Sequence, residues 1–441
     1  MNLPGQRGAP VDSGERPVDF GLFVRTAAGT DGLVVQPRMG FGTPAQMRTG
    51  LLATKLAPAR TVGTLTLDSF TRVGELAAVE HALRNGIGLN GYPIVSYPDD
   101  VTRSVLKDVR GADFPVQVRH GSAVPMDIFA SLVRLRLNAT EGGPVSYCLP
   151  YGRTPLAESV ANWEWSTLHY ARLLDLGIEP HLETFGGCML GQLCPPSQLI
   201  AISLLEALFF HRHGVRSLSL SYAQQTSHEQ DREAVLALRE LCTEFLPTDN
   251  WHIVVYAYMG VFPETESGAY ALLGDAARLA VETGAARLIV KTVAESRRIP
   301  TVADNVAALA YADAAARGAH PLPVADGAAT DSRTYSEACS LVEAVLNLDA
   351  DIGRALLAAF RTGLLDIPYC VHPDNAQRSR SYIDADGRLE WADTGRLALG
   401  HQVRSAHART VTAAGLLGDL SYIRMRYDEK ASGTLGPGAG P

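Results

Sequence analysis

Three arginines stand just beyond short β-rich runs: Arg38 in VVQPRMG, Arg72 in TLTLDSFTR and Arg119 in FPVQVRHG. A guanidinium presents a planar fork of donors that grips a carboxylate or phosphate at two points. Any one of them could equally pair with a neighbouring helix. Three at strand tips, in a chain of formal net charge -8, predict a local positive funnel for an anionic small molecule. His120 follows Arg119 directly. NATEGG then places Glu141 before a glycine pair, ahead of a predicted strand, and VSYCLPY carries Tyr147 and Tyr151 on one face of an extended run. Glu141 could accept from a substrate ammonium while the tyrosines orient it; a loop carboxylate with two barrel-filling aromatics accounts for the same residues. RLIVKTVAES puts Lys291 at a strand tip and Glu295 four residues on, the poorer order for a helical ion pair. The lysine could be a Schiff-base nucleophile or a polar clamp for a cofactor sugar, and spacing does not separate the two.

The elements that must position these residues alternate. Strands are predicted near 32–38, 62–68, 90–97, 115–119, 144–150, 180–186, 217–222, 252–259 and 287–292, with helices near 44–58, 71–85, 154–177, 195–213, 227–245, 266–283 and 302–317. Regular alternation implies a parallel sheet with right-handed crossovers. No glycine fingerprint for a dinucleotide follows the first strand. The reading is therefore an α/β (β/α)8 TIM barrel, whose strand ends build the active site, with a C-terminal mostly helical and irregular extension. Of nine candidate strands, LNGYPIVSYP, with Pro93 and Pro98, is taken as the surplus one, a loop. The barrel is expected over 1–320, a linker over 321–332, the extension over 333–430, with a helical stretch at 335–362 and loops to about 400, and a disordered tail over 431–441.

Composition narrows the function. The chain has 441 residues, 46% hydrophobic, enough for a large core. An acidic balance argues against a nucleic-acid footprint. The apolar run LIAISLLEALFF (199–210) is too short to span a bilayer and contains Glu206, and MNLPGQRGAP has no signal-like segment, so a cytoplasmic protein is expected. Six cysteines in a chain this long do not form a disulfide framework, and neither the Cys188–Cys194 spacing nor His211-x-His213 suits a metal, so no protein-held metal is expected.

Eight short motifs in order, QPRMG, DSFTR, LNGYP, VRHG, EGG–VSY–PY, MGVFP, IVKT–xxE–xxxIPT and DIPYC, resemble the catalytic epsilon subunit of glutamate mutase (methylaspartate mutase). The resemblance runs from about residue 30 to 305, with a trace near 364–370. It implies an adenosylcobalamin-dependent radical rearrangement of L-glutamate to (2S,3S)-3-methylaspartate. By it, Arg38, Arg72 and Arg119 would form a claw on the substrate carboxylates with His120 adjoining. Glu141 and Tyr151 would hold the amino group, and Tyr147 a carboxylate. Gly40, Asn90, Pro150, Phe262, Lys291, Glu295 and Ile299 fall where the family touches the cofactor, Lys291 and Glu295 on the adenosyl ribose. In such mutases a D-x-H-x-x-G motif supplies the lower cobalt ligand. None of the twelve histidines lies in one, so the resemblance implies a separate small cobalamin-binding subunit, a self-associating two-plus-two assembly, and no activity from this chain alone. Against the family, LSYAQQTS (219–226) lacks a glycine-rich run and 371–400 matches poorly. Two other readings remain beside it: an aldolase-like Schiff-base lyase using Lys291, and a non-catalytic barrel subunit of a biosynthetic complex.

Overall fold

The β-rich runs fold as eight short parallel strands: β1 (Val34–Gln36), β2 (Gly63–Thr66), β3 (Val116–Arg119), β4 (Ala139–Gly142), β5 (His181–Thr184), β6 (Ser217–Ala223), β7 (Trp251–Tyr256) and β8 (Arg287–Ile289). This computed structural model describes residues 17–189, 193–323, 327, 329–399 and 411–431. The strands pair in the order β1-β8-β7-β6-β5-β4-β3-β2. The ring closes where Val35 bridges Thr61 and its N–H donates to the Arg60 carbonyl. A (β/α)8 barrel is what the alternation predicted, and the barrel is what forms.

Its helices are α1 (Phe20–Asp31), α2 (Pro44–Lys55), α3 (Ser69–Arg72), α4 (Leu76–Arg84), α5 (Asp99–Leu106), α6 (Met126–Leu135), α7 (Leu156–Ala171), α8 (Pro196–Arg212), α9 (His228–Phe245), α10 (Glu266–Glu282) and α11 (Val302–Arg317). Local chemistry fixes their starts. Thr43 caps α2 ahead of Pro44, Asp68 accepts the Phe70 and Thr71 N–H groups of α3, and Thr301 and Asp304 form a capping box on α11. The predicted helix 71–85 divides into α3 and α4. The sequence reading did not anticipate α1, α5 or α6.

Residues 90–97 stay outside the barrel, as expected of the proline-bearing run. Tyr92 makes one parallel bridge with Leu67, its N–H donating to the Thr66 carbonyl. The strand expected at 144–150 is a correction: β4 lies earlier, at 139–142, and 144–150 is a series of turns. Pro144 offers no N–H to a sheet, and the next two N–H groups, of Val145 and Ser146, donate to Glu206 on α8 instead of a strand.

Beyond the barrel come α12 (Arg333–Leu346), α13 (Ile352–Thr362), an antiparallel hairpin of β9 (Arg380–Ile383) and β10 (Leu389–Asp393), and α14 (Ala413–Ala431). The single helical stretch read at 335–362 is thus two helices, the second capped by Asp351. The hairpin lies within the segment read as loops. Residues 324–326 and 328 of the expected linker, residues 432–441 of the expected tail and the N-terminal 1–16 lie outside the described residues. α12 packs on α8 and α9, α13 on α7 and α8, and α14 on α10, where Ile423 and Tyr427 meet Tyr258 and Phe262. Among the described residues no helix is long and apolar enough to cross a membrane; the 199–210 run is buried inside α8.

Candidate active site

The C-terminal ends of the strands carry the predicted cations. Arg119 closes β3 and is 4% exposed. Its Nη2 pairs with Glu141 Oε2 at 2.9 Å and its guanidinium lies 5.0 Å from the Tyr256 ring centre. Its buried Nη1 has no hydrogen-bond partner. Burial alone would lower the Arg119 pKa, but Glu141, then the surrounding tyrosines and Glu183, hold it above the ordinary value. Arg72, ending α3, lies over the backbone of Gly121: a Cβ there would sit 2.7 Å from Arg72 Nη2, and the glycine's φ of +70° is one that side chains rarely adopt. Arg38 follows β1, its Nη1 3.6 Å from the Met259 sulfur. Among the described residues neither Arg38 nor Arg72 pairs with a carboxylate.

His120 is buried among Phe129, Tyr147 and Trp163, ring centres 5.3 to 5.9 Å away. The Ser122 N–H donates to its Nδ1 at 3.1 Å, which puts the ring proton of the neutral imidazole on Nε2. Desolvation, helped by Arg72 and Arg119, pushes the His120 pKa down to about 3. The imidazole is therefore neutral, and its buried Nε2 makes no well-formed hydrogen bond, although the Glu141 carbonyl lies near enough to pull the pKa partway back up.

Glu141 stands on β4 itself and is buried. Tyr147 donates to its Oε1, and the Tyr256 hydroxyl lies 2.8 Å from its Oε2. Burial raises the Glu141 pKa, and Arg119 opposes that rise without cancelling it. With 144–150 in turns, Tyr147 and Tyr151 do not share an extended face. Tyr147 is at Glu141, whereas Tyr151 is 52% exposed with its ring 6.4 Å from Phe185. The structure thus brings Arg72, Arg119, His120, Glu141 and Tyr147 together and leaves Tyr151 at the rim.

Lys291 follows β8. Its ammonium lies 4.8 Å from the centre of the buried Phe262 ring and 3.8 Å from Glu295. Desolvation lowers its pKa to about 8; Glu295 pulls the value up and Arg38 down. A cation seated on an aromatic face beside a carboxylate can hold hydroxyl groups, and a lysine desolvated beside a second cation can also act as a nucleophile. Gly40 lets the chain after β1 touch the Thr66 carbonyl, where a Cβ would collide. Asn90 is exposed, and its Oδ1 accepts the Ser69 N–H at 2.9 Å, so it braces α3. Pro150 is half-buried and Ile299 is 68% exposed. A cavity of about 680 Å³ beside Arg25, Trp251 and Ala286 adjoins the starts of β7 and β8, at the opposite end of the barrel.

Below this layer lies a polar one that the sequence reading missed. Arg287, fully buried, binds Glu183, Gln36, Gln117 at 3.2 Å and Ser219 at 3.1 Å. Glu183 also accepts from Gln117 and Ser219 and contacts the Tyr256 hydroxyl. Burial would raise the Glu183 pKa, but Arg287 and then Arg119 hold it below the usual value. The signal was available: His181 and Glu183, then Ser217, Ser219 and Ser221, then His252 and Tyr256 are polar at same-parity strand positions, which point one way.

A family model described as methylaspartate mutase E chain (MutE) matches residues 18–422. The chain is similar to the glutamate mutase epsilon subunit of Halobacterium salinarum, 31% identical over 375 residues, covering 82% of this chain and 78% of that one. It is also similar to the proteins of the same name from Haloarcula marismortui, at 28% over 78% of this chain and 72% of that one, and from Escherichia coli O157:H7, at 27% over 78% and 73%.

Proposed function

The chain belongs to the methylaspartate mutase E chain family, and from that premise we propose that it is the catalytic subunit of an adenosylcobalamin-dependent glutamate mutase interconverting L-glutamate and (2S,3S)-3-methylaspartate. The observation that carries this reading is one buried cluster with two faces. Among the described residues Arg119 Nη1 is a buried donor without a partner, His120 Nε2 has only a weak contact to the Glu141 carbonyl and Arg72 meets no carboxylate, while the Glu141 carboxylate stands beside them. An orphaned buried donor is costly unless a ligand completes it. An α-amino acid brings carboxylates for the donors and an ammonium for Glu141.

In this reading Arg38, Arg72 and Arg119 grip the substrate carboxylates as forks, with neutral His120 donating from Nε2. Tyr147 holds Glu141 in line for the ammonium, and Tyr151 folds in from the rim. Gly40, Asn90, Pro150, Phe262, Lys291, Glu295 and Ile299 would hold the cofactor, the Lys291–Glu295 clamp serving the ribose hydroxyls of its adenosyl group. The residues fit it: the lysine is cradled on Phe262, and Gly40 leaves room only for backbone. When bound, the cofactor supplies radical hydrogen abstraction. The chain's part is to fix both ends of the substrate and keep water out, so that fragments recombine in place. Phe70, Val73, Val261 and Ile299 are exposed apolar side chains following β2, β7 and β8, and offer that end to a small cobalamin-binding subunit. The relatives' name, epsilon subunit, favours such a partner.

The test combines the chain with a cobalamin-binding small subunit, adenosylcobalamin and L-glutamate and follows 3-methylaspartate. Product that needs every component is expected. Complex formation without product, together with borohydride trapping of Lys291 on a carbonyl substrate, would replace the mutase reading by a Schiff-base lyase.

A further inference from the structure

Glu141 and Glu183 lie on neighbouring strands, paired in register on β4 and β5. Between them stands one hydroxyl, that of Tyr256, 2.8 Å from Glu141 Oε2 and in contact with Glu183 Oε1. A tyrosine hydroxyl carries a single proton and can donate along only one of those lines. Two carboxylates would leave the other line with lone pair facing lone pair in a buried site, which is unfavourable. One further proton, on either carboxyl, satisfies both contacts. The remaining donors do not supply it: Tyr147 is committed to Glu141 Oε1, and Arg119 Nη2 already meets Oε2. Arg287, Gln117 and Ser219 are committed to Glu183 Oε2, the oxygen facing away from Tyr256.

We infer that Tyr256, anchored through Glu183 and Arg287, is a positioning residue that holds one shared proton on the Glu141–Glu183 pair until a substrate amine displaces it. The inference rests on the reading of Glu141 as the amine site. The groups that bear on the pair are Arg119 from β3, Arg72 from α3, Tyr147 from the turn after β4, Cys188 beyond β5 and Arg287 from β8. His120 is neutral and does not compete for the proton. The balance is simple. L-Glutamate arrives as an ammonium and donates to Glu141. The carboxyl proton leaves to solvent; Tyr256 keeps its own proton and donates it to Glu183, while the ammonium and Arg119 satisfy Glu141. If the amine instead binds neutral to a protonated Glu141, its own proton is the one released. Either way binding expels one proton, and the amount depends on Tyr256.

The experiment is calorimetric titration of L-glutamate into the full chain assembled with a cobalamin-binding subunit and a cobalamin lacking the adenosyl group, at pH 7 in buffers of different ionisation enthalpy. About one proton released per glutamate is expected for the natural sequence. Tyr256→Phe removes the bridge through which the two carboxyls share the proton, and should still bind with a proton count clearly below that of the natural sequence and a weaker dependence of affinity on pH, burial alone sustaining the remainder on Glu141. If that variant fails to fold, the proton count of the natural chain alone still decides the inference. A merely structural role for Tyr256 would weaken binding equally at every pH and leave the proton count unchanged. That result, or no release from the natural sequence, overturns the inference. Glu141→Gln separates the two readings: if it binds glutamate as the natural chain does, the amine assignment fails first and the relay with it.

Discussion

Two buried arginines sit one layer apart in the same barrel and are treated in opposite ways. Arg287, low in the lumen, has both terminal nitrogens engaged by Glu183, Gln36, Gln117 and Ser219, and only its Nε lacks a partner. Arg119, at the strand ends, meets one carboxylate, leaves Nη1 empty-handed, and shares its neighbourhood with Arg72, which meets no carboxylate among the described residues. A protein that buries a charge for architecture closes the shell around it, because an incomplete shell costs stability. An open shell around a buried cation is what a ligand completes. The lower cation, with a carboxylate and three further acceptors on its terminal nitrogens, fits a scaffold, and the upper layer, with a second arginine that meets no carboxylate among the described residues, fits the proposed site.

The sharpest way to break the comparison is to remove the lower charge. Arg287→Met strands the fully buried Glu183 and should cost about 3–5 kcal/mol of stability. Urea unfolding followed by circular dichroism measures it. A loss below about 1 kcal/mol would mean that the lower network is no more structural than a surface pair.

Arg119→Lys probes the upper layer. A lysine keeps the charge beside Glu141 but not the fork. Stability should change by about 1 kcal/mol, while kcat/KM of the reconstituted enzyme falls about tenfold to a hundredfold, the worth of a charge-assisted hydrogen bond. Unchanged kinetics would remove Arg119 from the substrate site and leave it a second scaffold arginine.

The two layers were also unequally legible in the sequence. Arg38, Arg72 and Arg119 could be placed because a residue just past a β-rich run needs only local alternation to be put at a strand end. Glu183, Tyr256 and Arg287 could not be joined. Their meeting depends on closure of the ring and on register between strands far apart in sequence. β4 was misplaced because Val145, Ser146 and Tyr147 look like strand, and only the tertiary capture of their N–H groups by Glu206 overrides that preference. α6 begins after Pro125 with no side-chain cap, so its start has no marker. α14 has one buried stripe, Ile423 and Tyr427, whose partner surface appears only once β7 and α10 are assembled.

Glu206 separates burial from ion pairing, and predicts the smallest effect. Like Glu183 it is fully buried and fully hydrogen-bonded, accepting from the Val145, Ser146 and Gly186 N–H groups and the Ser146 hydroxyl. Unlike Glu183 it has no cation. Desolvation outweighs those four donors and raises its pKa from 4.5 to about 7. The folded state therefore binds more protons than the unfolded state between those values, and stability falls as pH rises through the window. Glu183 has the opposite sign: its lowered pKa contributes stability that is complete above the unfolded value and lost only in acid. Urea midpoints from pH 5 to 7.5 should show the advantage of the natural chain over Glu206→Gln shrinking as pH rises. A level advantage would mean that hydrogen bonds without a cation suffice to keep a buried carboxylate charged.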